Sequence, residues 1–354
     1  MKKNQNKLSP AIFIGVDGDG VISFGSGQPD LPPPKEVFES LPTMRTFKYG
    51  LIQGEVKLRE ALAKHHDSFT GDHYVIANGA SEALDLTFRV VAKPGDKILI
   101  HTPYYYSYKP LIEMNHLVPV FVKTHEGKID VADFKKKVRG VKAVLINSPC
   151  NPTGRIQDID ALKEIERVTQ KLGVTLISDE VYKDLIYERK NYFLSGDKVV
   201  TVNSFSKTFA MCGLRVGYLF SSDLEIVKKV VELKTHTSMN TGILSQQVAL
   251  HALKAPGKFV SDQVKIWRKR RDTIYDGMKD LGLDLWKPEG AFYVLPKIKD
   301  ANKFVFDMFH KHKVITYPGE WFGAPDRVRF SYALDLEKIK EGLERIGRYL
   351  RKRR

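Results

Sequence analysis

The sequence predicts an α/β protein: a mainly parallel sheet sandwiched by helices, followed by a smaller α+β domain. Three observations carry that expectation. From Ser81 onward, apolar runs of strand length alternate with segments of helical period. The runs at 143–146, 174–177 and 199–202 are rich in aliphatic and β-branched residues and read as strands buried on both faces. Past about Lys228 the alternation stops, and a mostly helical stretch leads to short strands and a closing helix.

Taken in order, the first 40 residues are rich in turn formers through Gly25-Ser26-Gly27-Gln28-Pro29-Asp30. They read as an extended arm with a short hairpin around Asp17-Gly18-Asp19-Gly20. The alternation then predicts helices over 81–91, 108–114, 131–137 and 158–172, and strands over 97–100, 118–122, 143–146, 174–177, 199–202 and 216–220. A long amphipathic helix over about 259–281 connects to strands near 292–295, 314–317 and 328–332 and a helix over 336–351. A chain of 354 residues exceeds one ordinary core. The expected division is an arm with part of the small domain (1–40), a large domain (41–260) and a small domain (261–354).

Composition narrows the class. The net charge is +15, with basic runs Arg268-Lys269-Arg270-Arg271 and Arg351-Lys352-Arg353-Arg354. Neither run has interleaved aromatics, so both read as a charged helix face and a solvated tail, with no nucleic-acid partner expected. No apolar run reaches the length of a membrane span, and no signal-type stretch follows the N-terminus, so a cytoplasmic protein is expected. The two cysteines, Cys150 and Cys212, read as reduced packing residues. His65 and His66 lack a carboxylate or cysteine at ligand spacing, so they read as surface residues and no metal is expected.

In open α/β sheets, ligands sit beyond the carboxyl ends of the strands. Three strand ends carry polar clusters: Asn147-Ser148-Pro149-Cys150-Asn151-Pro152-Thr153-Gly154, Ser178-Asp179-Glu180-Val181-Tyr182, and Ser204-Phe205-Ser206-Lys207-Thr208 running on to Arg215. A lysine amine condenses with carbonyls, and an arginine fork matches a phosphate dianion. Each residue also has an ordinary reading: Lys207 solvated, Asp179 a helix N-cap, Tyr182 a core aromatic, Asn151 a turn residue. A nucleotide-phosphate loop is excluded, because Ser206 and Thr201 stand where it needs glycines. Upstream, Asn78-Gly79-Ala80-Ser81 opens a helix whose free amides and dipole favour an anion.

The order Asn151, then Asp179 and Tyr182, then Lys207 and Arg215 resembles the pyridoxal-phosphate site of the class I/II aminotransferases, the aspartate aminotransferase superfamily. The resemblance covers nearly the whole chain and implies the fold type I architecture, with a seven-stranded sheet. It implies that Lys207 holds the cofactor covalently and moves a proton at the substrate Cα, while Asp179 pairs with the ring nitrogen. Asn151 and Tyr182 would donate to the ring oxygen, and Tyr105 would stack on the ring. Gly79, Ala80, Ser81, Ser204, Ser206 and Arg215 would take the phosphate, joined by Tyr49 of a neighbouring subunit in a homodimer. Arg329 would grip the substrate carboxylate, assisted by Gly27 and Asn151; Arg327, two residues earlier, is its competitor.

The activity so implied is ping-pong transfer of an amino group between an L-amino acid, aspartate or aromatic, and a 2-oxo acid. The same scaffold serves histidinol-phosphate aminotransferase, threonine-phosphate decarboxylase and carbon-sulfur lyases. A non-enzyme reading is a cofactor-binding transcription regulator, against which stands a chain that begins almost directly with the arm.

Overall fold

The computed structural model describes residues 18–39, 48–188 and 190–352. In chain order its first half holds β1 (Ile22–Ser23), α1 (Glu36–Glu39), α2 (Val56–His66), β2 (Tyr74–Ala77), α3 (Ala80–Val91), β3 (Lys97–His101), α4 (Tyr108–Met114), β4 (Val118–Val122), β5 (Thr124–His125), β6 (Lys128–Ile129), α5 (Val131–Lys137), β7 (Ala143–Asn147), α6 (Ile159–Leu172) and β8 (Thr175–Asp179). The rest holds β9 (Val199–Ser204), α7 (Phe205–Thr208), β10 (Gly217–Ser221), α8 (Leu224–Thr235), α9 (Ile243–Ala252), α10 (Gly257–Asp280), β11 (Tyr293–Val294), α11 (Ala301–His312), β12 (Val314–Ile315), β13 (Tyr317–Pro318), β14 (Val328–Ser331) and α12 (Leu336–Arg351).

Seven strands form the main sheet in the order β2-β10-β9-β8-β7-β3-β4. Only β10 runs antiparallel to its neighbours. Its two faces are separated by the strand period of two. Ile98, Ile100, Leu145 and Ile177 pack with Leu84 and Phe88 of α3 and Val230 of α8. Leu99, Val144, Ile146 and Leu176 pack on the other side with Phe134 of α5 and Leu162 and Ile165 of α6. Such two-sided covering explains why these strands lack polar positions until their ends. A third cluster joins Leu58 and Leu62 of α2 to Tyr74, Tyr218 and Val248 at the β2 edge.

The C-terminal strands build an antiparallel sheet, β11-β14-β13, whose core holds Trp267, Phe292, Phe304 and Phe330. The arm joins this region: β1 pairs in parallel with β12, and Phe24 is buried edge-on to Phe330.

Four expectations are corrected. The hairpin is replaced by a turn, Val21 N–H to the Gly18 carbonyl, that feeds the parallel β1–β12 pair; Asp17 lies outside the described residues. The strand β2 went unforeseen, because its run Tyr74–Ala77 is only four residues long. Arg270 and Arg271 are buried in place of sitting on a solvated face. Arg270 forks onto Asp30 at 2.6 and 2.9 Å, and Arg271 binds Glu188 and the Pro288 carbonyl, so half of that basic run ties α10 to its neighbours. His66 is part-buried, with Nε2 2.7 Å from the Tyr218 hydroxyl and Nδ1 3.1 Å from Lys183 Nζ. Among the described residues no helix is long and apolar enough to cross a membrane.

Candidate active site

The register of the parallel strands sets Asn147 beside Asp179 and Asp179 beside Val202. The carboxyl ends of β7, β8 and β9 are therefore level, and the polar residues that follow them meet at one edge. Asn147 binds these ends together: its Nδ2 donates to the Asp179 carbonyl at 3.0 Å, and its Oδ1 accepts from the Asn151 amide at 2.9 Å. Asp179 is buried, and its carboxylate accepts from the Tyr108 hydroxyl at 2.5 Å and the Val181 amide at 3.2 Å. Burial pushes its pKa up to about 6, with the Tyr108 and Val181 bonds and Lys207 opposing.

Lys207 sits on the short α7, whose start is capped by Ser204 Oγ accepting from the Ser206 amide at 3.0 Å. Ser204 Oγ also lies 2.7 Å from Ser206 Oγ. The Lys207 amine donates to the Gly27 carbonyl at 2.6 Å and lies 6.0 Å from the Tyr182 ring centre. Burial lowers its pKa to about 8; Arg329 and Arg215 add to the fall, while Cys212 and Asp179 resist it.

These groups face a cavity of about 960 Å³. Asn151, Asp179, Tyr182, Tyr105 and Lys207 line it, as do Ala80, Ser81, Ser204, Ser206 and Arg215, and so do Gly27 and Arg329. Gly79 stands just behind, at φ +82°, where an added Cβ would lie 2.4 Å from the Arg215 guanidinium. Gly217 is equally constrained, since its Cβ would come 2.7 Å from the Ala80 nitrogen. Tyr49 is not among the lining residues; it is 84% exposed on this protomer.

Arg329 is buried and held by Asn151 Oδ1 at 3.1 Å and the Gly25 carbonyl at 2.6 Å. Tyr293, Tyr317 and Phe322 surround its guanidinium at 4.6, 4.7 and 4.8 Å. Arg327 is occupied elsewhere, stacked 4.0 Å over Trp286 and bonded to the Leu295 carbonyl. Trp321 packs edge-on to Tyr317.

Three residues of the site were given no role from the sequence: Asn147, noted only as opening a polar cluster, Tyr108, and Tyr293, whose hydroxyl is 2.8 Å from that of Tyr182. A polar residue closing an apolar strand was the available signal for Asn147. The two tyrosines had none, since their partners are 71 and 111 residues away in sequence.

The donor set suits pyridoxal phosphate. Asp179 is a buried carboxylate that no side-chain cation bonds among the described residues, a fit for a protonated ring nitrogen. Arg329 Nε is buried without a partner and can take a carboxylate oxygen. Gly79 leaves open the space in which Arg215 and the first α3 amides converge. Among the described residues no group of three or more His, Cys, Asp or Glu could hold a metal.

Residues 19–346 match the family model for aminotransferase class I and II. The aspartate aminotransferase of Thermotoga maritima is 33% identical, over 95% of this chain and 93% of its own length. That of Sulfurisphaera tokodaii is 32% identical over 94% and 90%. Among solved structures, a Thermotoga maritima aspartate aminotransferase superposes with a TM-score of 0.90 at 30% identity, covering 98% of each chain. An aromatic aminotransferase from Pyrococcus horikoshii superposes with a TM-score of 0.89 at 32% identity, covering 98% of this chain and 99% of that one. Matched from the arm to the last helix, with the lysine, carboxylate and arginine meeting in one cavity, the chain belongs to the class I and II aminotransferases and is a pyridoxal-phosphate-dependent transaminase.

Proposed function

We propose that this transaminase moves the amino group of an L-amino acid, aspartate foremost, to a 2-oxo acid in a ping-pong cycle, working as a cytoplasmic homodimer. The observation that carries the reading is the convergence of Lys207, Asp179 and Arg329 on one cavity. Aspartate is favoured by the relatives that carry its name.

Pyridoxal phosphate, when bound, supplies an aldehyde for the substrate amine and a ring that accepts the electron pair left at Cα. Lys207 would provide the attachment point; its freed amine would take the proton from the substrate Cα and deliver it to the former aldehyde carbon of the cofactor, ending with the protons it began with. A pKa near 8 suits that alternation. Asp179 holds a proton on the ring nitrogen, and Asn151 with Tyr182 holds the ring oxygen. Tyr105 backs the ring, while Gly79, Ala80, Ser81, Ser204, Ser206 and Arg215 bind the phosphate. Arg329 fixes the substrate carboxylate, its three aromatic neighbours keeping water from the guanidinium. In this reading the large domain (41–260) grips the cofactor, and the small domain (261–354) with the arm grips the substrate. The exposed Tyr49 reaches the phosphate of the neighbouring subunit, which makes each site dependent on the dimer.

Beyond these groups, the remaining cation lining the cavity among the described residues is Lys338, exposed on the last helix and available to the distal carboxylate of aspartate. The tyrosine rings of Tyr105, Tyr106 and Tyr317 in the same cavity favour an aromatic donor as the second reading. Mixing the purified enzyme with single amino acids, without any 2-oxo acid, separates the two. Aspartate should discharge the cofactor's visible absorbance and release one equivalent of oxaloacetate. Release of carbon dioxide, or elimination of the side chain with the absorbance retained, would overturn transamination.

A further inference from the structure

Behind the start of α3 lies a buried ion pair that none of the roles above uses. Lys234, in the last turn of α8, is fully buried, and its amine donates to Glu82 Oε2 at 3.0 Å and to Ser238 Oγ at 2.7 Å. Glu82 is the third residue of α3, one past Ser81. Its Oε2 accepts from the Asn78 amide at 2.6 Å, and both its oxygens lie 3.1 Å from Asn78 Nδ2. That reach back resembles a capping box: it secures the residue before the Gly79 turn, while the first two helix amides keep no intrahelical acceptor and stay free for a ligand.

The arrangement carries an electrostatic conflict. A carboxylate in the first turn of a helix occupies the same favourable field that a phosphate dianion would use, and the two repel. Glu82 is ionised: burial would raise its pKa, but bonds from Ser238, Asn78 and Lys234 bring it below its ordinary value. We infer that Glu82 and Lys234 form a charge-neutral positioning pair for the phosphate cradle, Glu82 holding the turn at 78–79 and Lys234 cancelling the charge that Glu82 sets beside the phosphate. The inference rests on the phosphate lying at Ala80, Ser81 and Arg215.

Its signature is one of opposite signs. The full-length chain, stripped of cofactor, is titrated calorimetrically with inorganic phosphate and with pyridoxal phosphate, and its melting is followed in parallel. Lys234→Met should weaken phosphate binding by about tenfold, the size of a charge effect at a helix N-terminus. Glu82→Gln keeps an acceptor for the Asn78 amide, leaves the lysine unopposed and should tighten binding. The double variant should return to within about twofold of the parent, since removing both opposite charges leaves the pair neutral again. If Lys234→Met fails to fold, Glu82→Gln and the double variant still decide the sign. Equal phosphate affinity in parent and Glu82→Gln, or a double variant no closer to the parent than Lys234→Met, overturns the inference. Arg215→Met separates the two readings: if it leaves phosphate affinity unchanged, the placement of the phosphate is wrong; if it weakens binding while the pair does not respond, only the pair's role fails.

Discussion

The cavity around Lys207 and the surroundings of Lys234 both draw a lysine away from water, the first partly and the second fully, yet they treat its charge in opposite ways. Burial is the first cause of a lowered pKa in each. At Lys234 a carboxylate 3.0 Å away and a hydroxyl answer the ammonium, so it remains a fixed cation. At Lys207 the bonded partner is a neutral carbonyl, while two arginines press from the same cavity. In the proposed reading, the difference teaches how one fold keeps a structural lysine inert and a chemical one reactive: bonded compensation preserves the charge, and its absence frees the amine.

The largest effect should come from Lys207→Ala, which removes attachment and proton transfer together and should lower kcat by at least about 10³-fold. Single-turnover kinetics with aspartate measure it, and a variant that kept parental turnover would erase the contrast between the two lysines. Next, Asp179→Asn should cost about 10²-fold in kcat by removing the charge that holds the ring-nitrogen proton.

The same substitution should act in reverse on the cofactor-free fold. The Asp179 pKa is raised in the folded chain, from 3.8 to about 6, so its contribution to stability is fully present below 3.8 and lost as pH rises through 6. At neutral pH the ionised group therefore opposes folding by on the order of 3 kcal/mol. Cofactor-free Asp179→Asn should melt a few degrees above the parent at pH 7, with the gap closing towards pH 4. An unchanged or lower melting temperature at pH 7 would mean that Asp179 is already compensated, as Glu82 is. The smallest effect belongs to Tyr108→Phe, which deletes one hydrogen bond to Asp179 and should reduce kcat by about fivefold.

Much of the site was legible because its chemistry demands particular residue types at strand ends. A long apolar run followed at once by Asn, Asp or Lys is conspicuous, and the parallel register then brings Asn151, Asp179 and Lys207 together. Gly79 was legible as part of a small-residue helix start, whereas the reason it must be glycine, the room its missing side chain leaves for Arg215, came only from the structure. Charge runs misled, because Arg270 and Arg271 are neutralised by Asp30 and Glu188, partners 240 and 83 residues away.

Local order along the chain thus dictated the alternation of strands and helices and the place of each polar cluster at the end of its strand, because backbone period and side-chain chemistry are properties of short stretches. Choosing among groups of the same type was left to folding. Lys207 rather than Lys234 lacks a bonded carboxylate, and Tyr108 rather than Tyr106 meets Asp179, whereas the resemblance had already singled out Arg329 over Arg327. Those choices depend on desolvation and on partners brought from distant segments, and no neighbouring residue in the chain encodes either.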